Sequence, residues 1–127
     1  MTPLPDDVRR FILTSIPSVP YLEAALLLQR DPAARRTAAE VARALYLQER
    51  TAADLLAALS AAGVVAVDAD GPPRYSYAPR DEALATAMAR LAEAYANDLV
   101  GVARLIHDAT HKNAQRFADA FKLRKDR

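Results

Sequence analysis

Apolar residues recur along this chain every three or four positions except in one short stretch, and that exception divides the molecule. Val8, Phe11, Ile12 and Ser15 put one stripe on a short helix, which Asp6 or Asp7 can start. Pro17 and Pro20 then punctuate the chain. Ser18 is placed to cap a second helix, apolar at Leu22, Leu26 and their neighbours until Arg30-Asp31-Pro32 ends it, so this helix is expected to be deeply buried. In Thr37-Ala38-Ala39-Glu40 the Thr hydroxyl can accept from the third helical N–H while the Glu carboxylate reaches back, which starts a third helix through Val41 and Leu45. The pattern pauses at Tyr46-Leu47-Gln48. It resumes from Glu49 to Ala62 with Ala52, Leu55, Leu56 and Leu59 on one face, and Gly63 fits a left-handed C-cap.

After Gly63 the period becomes two. Val65 and Val67 share a face, Asp68-Ala69-Asp70-Gly71-Pro72-Pro73 is turn chemistry, and Tyr75 and Tyr77 alternate before Pro79, which predicts a hairpin of two short strands. From Asp81 the helical stripe returns as Leu84, Met88, Leu91, Tyr95, Leu99, Val102 and Ile106. A helix running to His111 would be about 45 Å long. That is long for a small domain and predicts a partner, with Gly101, after Asn97-Asp98, as the expected place for a bend. Ala114, Phe117, Ala118 and Phe121 form a last stripe in a basic tail. The predicted core comprises Leu22, Leu26, Val41, Leu45, Leu47, Leu55, Leu56, Leu59, Val65 and Val67.

Composition supports a mainly α reading of one domain. The chain of 127 residues contains 29 Ala and 3 Gly and is 52% hydrophobic with a net charge of +1, so it has the apolar content to fold and favours helix. The absence of cysteine excludes disulfides, thiol nucleophiles and Cys-based metal sites. The start Met1-Thr2-Pro3-Leu4-Pro5 lacks a signal-peptide pattern, and the longest strictly apolar run, Ala24 to Leu28, is far short of a membrane span. A cytoplasmic protein without membrane attachment is expected.

Helix, helix, turn, helix and hairpin is the order of elements in a winged helix-turn-helix domain. The stretch from Glu40-Val41-Ala42-Arg43-Ala44-Leu45-Tyr46-Leu47-Gln48 through Leu55-Leu56-Ala57-Ala58-Leu59-Ser60-Ala61-Ala62-Gly63-Val64-Val65 resembles bacterial transcriptional regulators of the MarR/ArsR type. It has their capped helix, Leu-x-Leu turn, recognition helix and Ala-Gly-Val exit into the wing, and the match covers residues 20–79. The resemblance implies a winged-helix domain with an N-terminal helix over 1–79, a long C-terminal dimerisation helix over 80–111, and a basic amphipathic tail over 112–127. It also implies a homodimer that reads DNA with the recognition helix in the major groove and the wing on phosphates. Carried onto this chain, the recognition positions are Arg50, Thr51, Ala53, Asp54 and Ala57, the wing offers Arg74, and Arg35, Arg36, Thr37 and Arg43 flank the capped helix as phosphate contacts.

Charge complicates that reading. Residues 48–78 hold Arg50 and Arg74 against Glu49, Asp54, Asp68 and Asp70, a net −2 where polyanionic DNA should approach. An acid and two alanines among the recognition positions also leave few base-reading groups. The alternative is a winged-helix adaptor docking on another protein. The tail carries +4 in residues 112–127 and the rest of the chain −3. Phe117 and Phe121, one turn apart, favour a helix docked on the long helix or a partner subunit over a free basic arm, fraying from about Leu123.

Enzymatic chemistry is not expected. His107 and His111 stand at i and i+4 and could share a metal ion, yet no third ligand is evident, and two surface histidines near a helix end are the simpler reading. No cofactor is implied. With only Gly63, Gly71 and Gly101, neither a phosphate loop nor a dinucleotide fingerprint can form. Tyr21, Tyr46, Tyr75, Tyr77 and Tyr95 could line a small-molecule pocket, although core packing with the hydroxyl at the surface suits most of them better.

Overall fold

Capping groups stand where the helices begin. Ser18 Oγ accepts the Tyr21 N–H at 3.2 Å and Asp81 Oδ1 that of Leu84 at 2.8 Å. Thr37 and Glu40 close both halves of a capping box, with Thr37 Oγ1 accepting from the Glu40 N–H at 3.2 Å and Glu40 Oε1 from the Thr37 N–H at 3.1 Å. Each bond satisfies a backbone donor that the helix itself leaves unpaired. The computed structural model describes residues 4–125, with side chains through Lys112. In it the elements follow as α1 (Asp6–Ser15), α2 (Val19–Arg30), β1 (Arg36–Thr37), α3 (Ala38–Leu45), α4 (Glu49–Ala61), β2 (Val65–Asp68), β3 (Arg74–Tyr77), α5 (Glu82–Asn97) and α6 (Leu99–Lys125). None of these helices is by itself long and apolar enough to cross a membrane.

The core is organised around α2. Tyr21, Leu22, Ala24, Ala25, Leu26 and Leu28 are all buried, so more than half of its circumference is apolar and covered, and other elements must close on it from several sides. α3, α4, α6 and β3 do so, while α1 packs across α5 and α6 through Val8 and Ile12. Val41, Leu56 and Leu59 bring α3 and α4 into the same cluster.

The hairpin gains a strand that the alternating pattern does not predict. The sheet is antiparallel in the order β1-β3-β2, with Arg36 opposite Tyr75 and Thr37 opposite Arg74. An N-cap residue must be extended, and Thr37 at φ −81°, ψ 163° therefore lies alongside β3 and covers its free edge. Val67 departs from the expected core. It is 46% exposed because β2 is an edge strand that leaves the helices after Val64 and Val65. Leu45, Leu47 and Leu55 are half-buried at the rim.

The single long helix is in fact two. Asp98 ends α5 by donating its N–H to Ala94 O at 2.8 Å and starts α6 by accepting the Gly101 N–H on Oδ1 at 3.0 Å. The break therefore lies three residues before Gly101. That glycine serves a different purpose, since a Cβ there would push the Asp98 carboxylate off its capping position. With the helix broken here, Met88, Leu91, Val102 and Ile106 are buried within the chain while Leu99 is left 55% exposed. The stripe that predicted a partner is largely covered by α1 and α2. The backbone of α6 stays helical over 27 residues, about 40 Å. The expected burial of Phe117 and Phe121 lies outside the described side chains.

Three outcomes test this packing. Leu56→Ala, at a site with no exposed surface, should cost roughly 2 to 5 kcal/mol in denaturant unfolding. Gly101→Ala should lower the melting temperature by displacing the Asp98 cap, whereas Gly71→Ala, which meets nothing within 4 Å, carries only the strain of its positive φ. A pH effect comes from Arg90, whose Nε and Nη2 both donate to Asp7, the latter at 2.9 Å, tying α5 to α1. These hydrogen bonds hold the Asp7 carboxyl below its ordinary range. A lowered folded-state pKa stabilises above the unfolded value of about 3.9 and loses that contribution as pH falls through the folded value. Asp7→Asn should thus flatten the acid side of a melting-temperature profile; an unchanged profile would show that the pair contributes nothing.

Candidate nucleic-acid interface

The α3–α4 connection is tight because its first residue turns left-handed. Tyr46 has φ 57° and ψ 44°, the one positive φ outside glycine among the described residues. Its N–H and that of Leu47 both bond Ala42 O, the latter at 2.9 Å, which closes the end of α3. Leu47 then turns its side chain partly inward while Tyr46 is 96% exposed. An L-residue other than glycine costs roughly 1 to 2 kcal/mol in this conformation. At the other end of α4, Gly63 at φ 79° leads into β2, and a Cβ there would lie 2.8 Å from the Arg80 side chain.

The predicted site residues fall into two groups. Arg35, Arg36, Thr37 and Arg74 converge where β1 pairs with β3. Two of the four are already engaged. Arg35 Nη1 lies 3.3 Å from Asp68 Oδ2, and the Thr37 hydroxyl donates to Glu40 Oε1 at 3.0 Å. The Glu40 carboxyl is lowered by the Thr37 hydrogen bonds first and by the nearby charges of Arg74 and Arg36 after them. Arg36 is half-buried, and its Nε is enclosed without a partner among the described residues.

Arg43 on α3 and Arg50 and Thr51 on α4 form the second group, one on each side of the Tyr46 turn. All three are exposed. The ion pairs found among the described residues belong to Arg35, Arg80 and Arg90, so Arg43 and Arg50, like Arg36 and Arg74, have none. Farther along α4, Asp54 and Ala57 are exposed and Ala53 is half-buried, so the middle of the helix presents little that can read a base edge. Periodicity alone does not single out Tyr46, because its exposure follows from a backbone conformation rather than from spacing.

Elsewhere the structure gathers less. The His107 and His111 rings stack with centroids 6.5 Å apart, both exposed, and no group of three potential metal ligands forms among the described residues. The five tyrosines do not share a pocket. Tyr21 lines a cleft of about 550 Å³ between α1 and α5, together with Phe11, Arg80 and Met88. Tyr77 accepts a hydrogen bond from Gln29 at 3.5 Å, and Tyr95 donates to Glu23 at 3.3 Å; burial pushes the phenol pKa up in both.

No family model matches the sequence, and no curated protein matches it. Among solved structures, a MarR family protein from Bacillus stearothermophilus is similar over 94% of this chain and 83% of its own, with a TM-score of 0.52 and 22% sequence identity. The likeness extends across α1 to α6 as well as the hairpin, and this chain has a MarR-like winged-helix fold.

Proposed function

We propose that this chain is a cytoplasmic, non-enzymatic transcription regulator that binds DNA as a homodimer. One observation carries the reading: Arg43 and Arg50 on either side of the helix-turn-helix turn, and Arg74 on the wing, stand exposed with no ion pair among the described residues, whereas Arg35 is held by Asp68. Unpaired guanidinium groups at this place in the fold suit phosphate oxygens. Arg35 would act only after exchanging Asp68 for a phosphate, and Arg74 and Arg36 lie in the field of Glu40, so their contribution is smaller. Binding is expected to be weak, because Asp54 and the alanines of α4 add no base contact.

The homodimer is proposed from α6. Its backbone continues well past Thr110, whose hydroxyl bonds Pro17 O at 3.0 Å, and its sequence there retains Ala114, Phe117, Ala118 and Phe121 at helical spacing. Leu99 and Val100, exposed at its start, add apolar surface. A protein adaptor is the second reading, favoured by the exposed small residues Ala57, Ala58 and Ala61 along α4.

Salt separates the two readings. DNA binding should weaken with a log-log slope of about −0.9 per phosphate contact, and Arg43→Ala or Arg50→Ala should each reduce the slope by about that amount; Arg74→Ala should do less. Affinity for a protein partner that is insensitive to salt, without any enrichment of genomic DNA fragments, would favour the adaptor. Light scattering at micromolar concentration should give twice the chain mass, and a strictly monomeric mass counts against the dimer.

A further inference from the structure

Folding explains why the chain turns left-handed at the end of α3, but not why a tyrosine, Tyr46, stands there. Its ring is almost wholly in water, and its backbone holds a left-handed conformation that glycine or asparagine would adopt more easily. The two backbone bonds to Ala42 O would form equally well with glycine or asparagine at this position, and no side-chain hydrogen bond or aromatic contact engages the Tyr46 ring among the described residues. Strain retained at an exposed side chain points to a partner outside the molecule. The neighbours define what kind. Arg43 lies three residues before it and Arg50 four after it, both exposed and free of ion pairs, and Gln48 and Thr51 add exposed hydrogen-bond donors between and beside them.

We infer that Tyr46 is a DNA-binding residue in its own right, donating its phenol hydroxyl to a backbone phosphate while Arg43 and Arg50 neutralise the phosphates on either side. The left-handed turn projects the ring clear of both helices, which is what a donor needs to reach a phosphate that the α4 axis does not pass. A phenol hydroxyl suits this task because it donates one hydrogen bond without adding charge. Tyr46 thus fixes position along the strand, and the arginines supply the salt-dependent attraction. Glu49, at the first position of α4, opposes the same phosphates and weakens the contact.

This inference rests on the DNA-binding reading, and the test separates the two. Affinity of the full-length protein for a mixed-sequence DNA duplex is measured by fluorescence anisotropy across a salt series, with thermal melts of each variant. Tyr46→Phe should weaken binding roughly tenfold, the loss of one hydrogen bond to a charged group, with the salt slope unchanged. Tyr46→Gly should raise the melting temperature by releasing the strained backbone and yet weaken binding at least as much. A merely structural Tyr46 would move stability and affinity in the same direction. Glu49→Gln should tighten binding severalfold. If the unaltered protein binds no duplex at low salt, the DNA reading falls and this inference with it. If the unaltered protein binds and Tyr46→Phe and Tyr46→Gly bind equally well, the DNA reading stands and the role of Tyr46 is overturned.

Discussion

The structure depends on the need to surround α2. A helix of twelve residues with Leu22, Ala24, Ala25 and Leu28 almost wholly removed from solvent leaves only the narrow side of Pro20, Glu23, Leu27 and Arg30 toward water. Each fully buried leucine contributes about 1.5 to 3 kcal/mol relative to exposure. That gain is realised only if separate elements close from several directions at once. The two alanines set how closely they close, because side chains of one carbon let neighbouring backbones approach where leucine would hold them apart. α3 and α4 are placed by this demand as much as by their own sequences. The helix-turn-helix therefore rests on a rigid support, with its exposed surfaces directed away from α2.

Charge is distributed unevenly over that outer surface. Around the wing, positive groups meet negative ones inside the molecule: Arg35 faces Asp68, and Arg36 and Arg74 lie within the field of Glu40. Such exposed pairs add little stability, but they lower the attraction the wing can offer a polyanion. The α3–α4 turn differs. Among the described residues Arg43 and Arg50 form no ion pair there, and a left-handed, solvent-exposed tyrosine lies between them. A net charge taken over the whole segment averages these two regions into a single unfavourable sum and hides the contrast.

The helical arm is governed by Asp98. By closing one helix with its backbone and opening the next with its carboxylate, it turns a straight rod into two segments that pack on the rest of the chain. Part of the apolar surface that a straight helix would offer to a second subunit is thereby used internally. Among the described residues, the large apolar side chains that stay exposed at the break are Leu99 and Val100.

Local chemistry was sufficient to place most of the fold. Ser18, the Thr37–Glu40 box and Gly63 act through groups within a few residues of themselves, so their consequences can be read from spacing alone. The same holds for the stripes that buried Leu22, Val41, Leu56 and Leu59. Tertiary structure decided what depends on partners distant in sequence. Thr37 became a strand residue because β3 lay beside it, and Val67 stayed exposed because nothing covers that end of the edge strand. Arg35 met a carboxylate thirty-three residues away. Arg43 and Arg50 were spared such a neighbour, and a list of positive residues cannot distinguish the two cases, since ion pairing depends on three-dimensional distance and not on order along the chain.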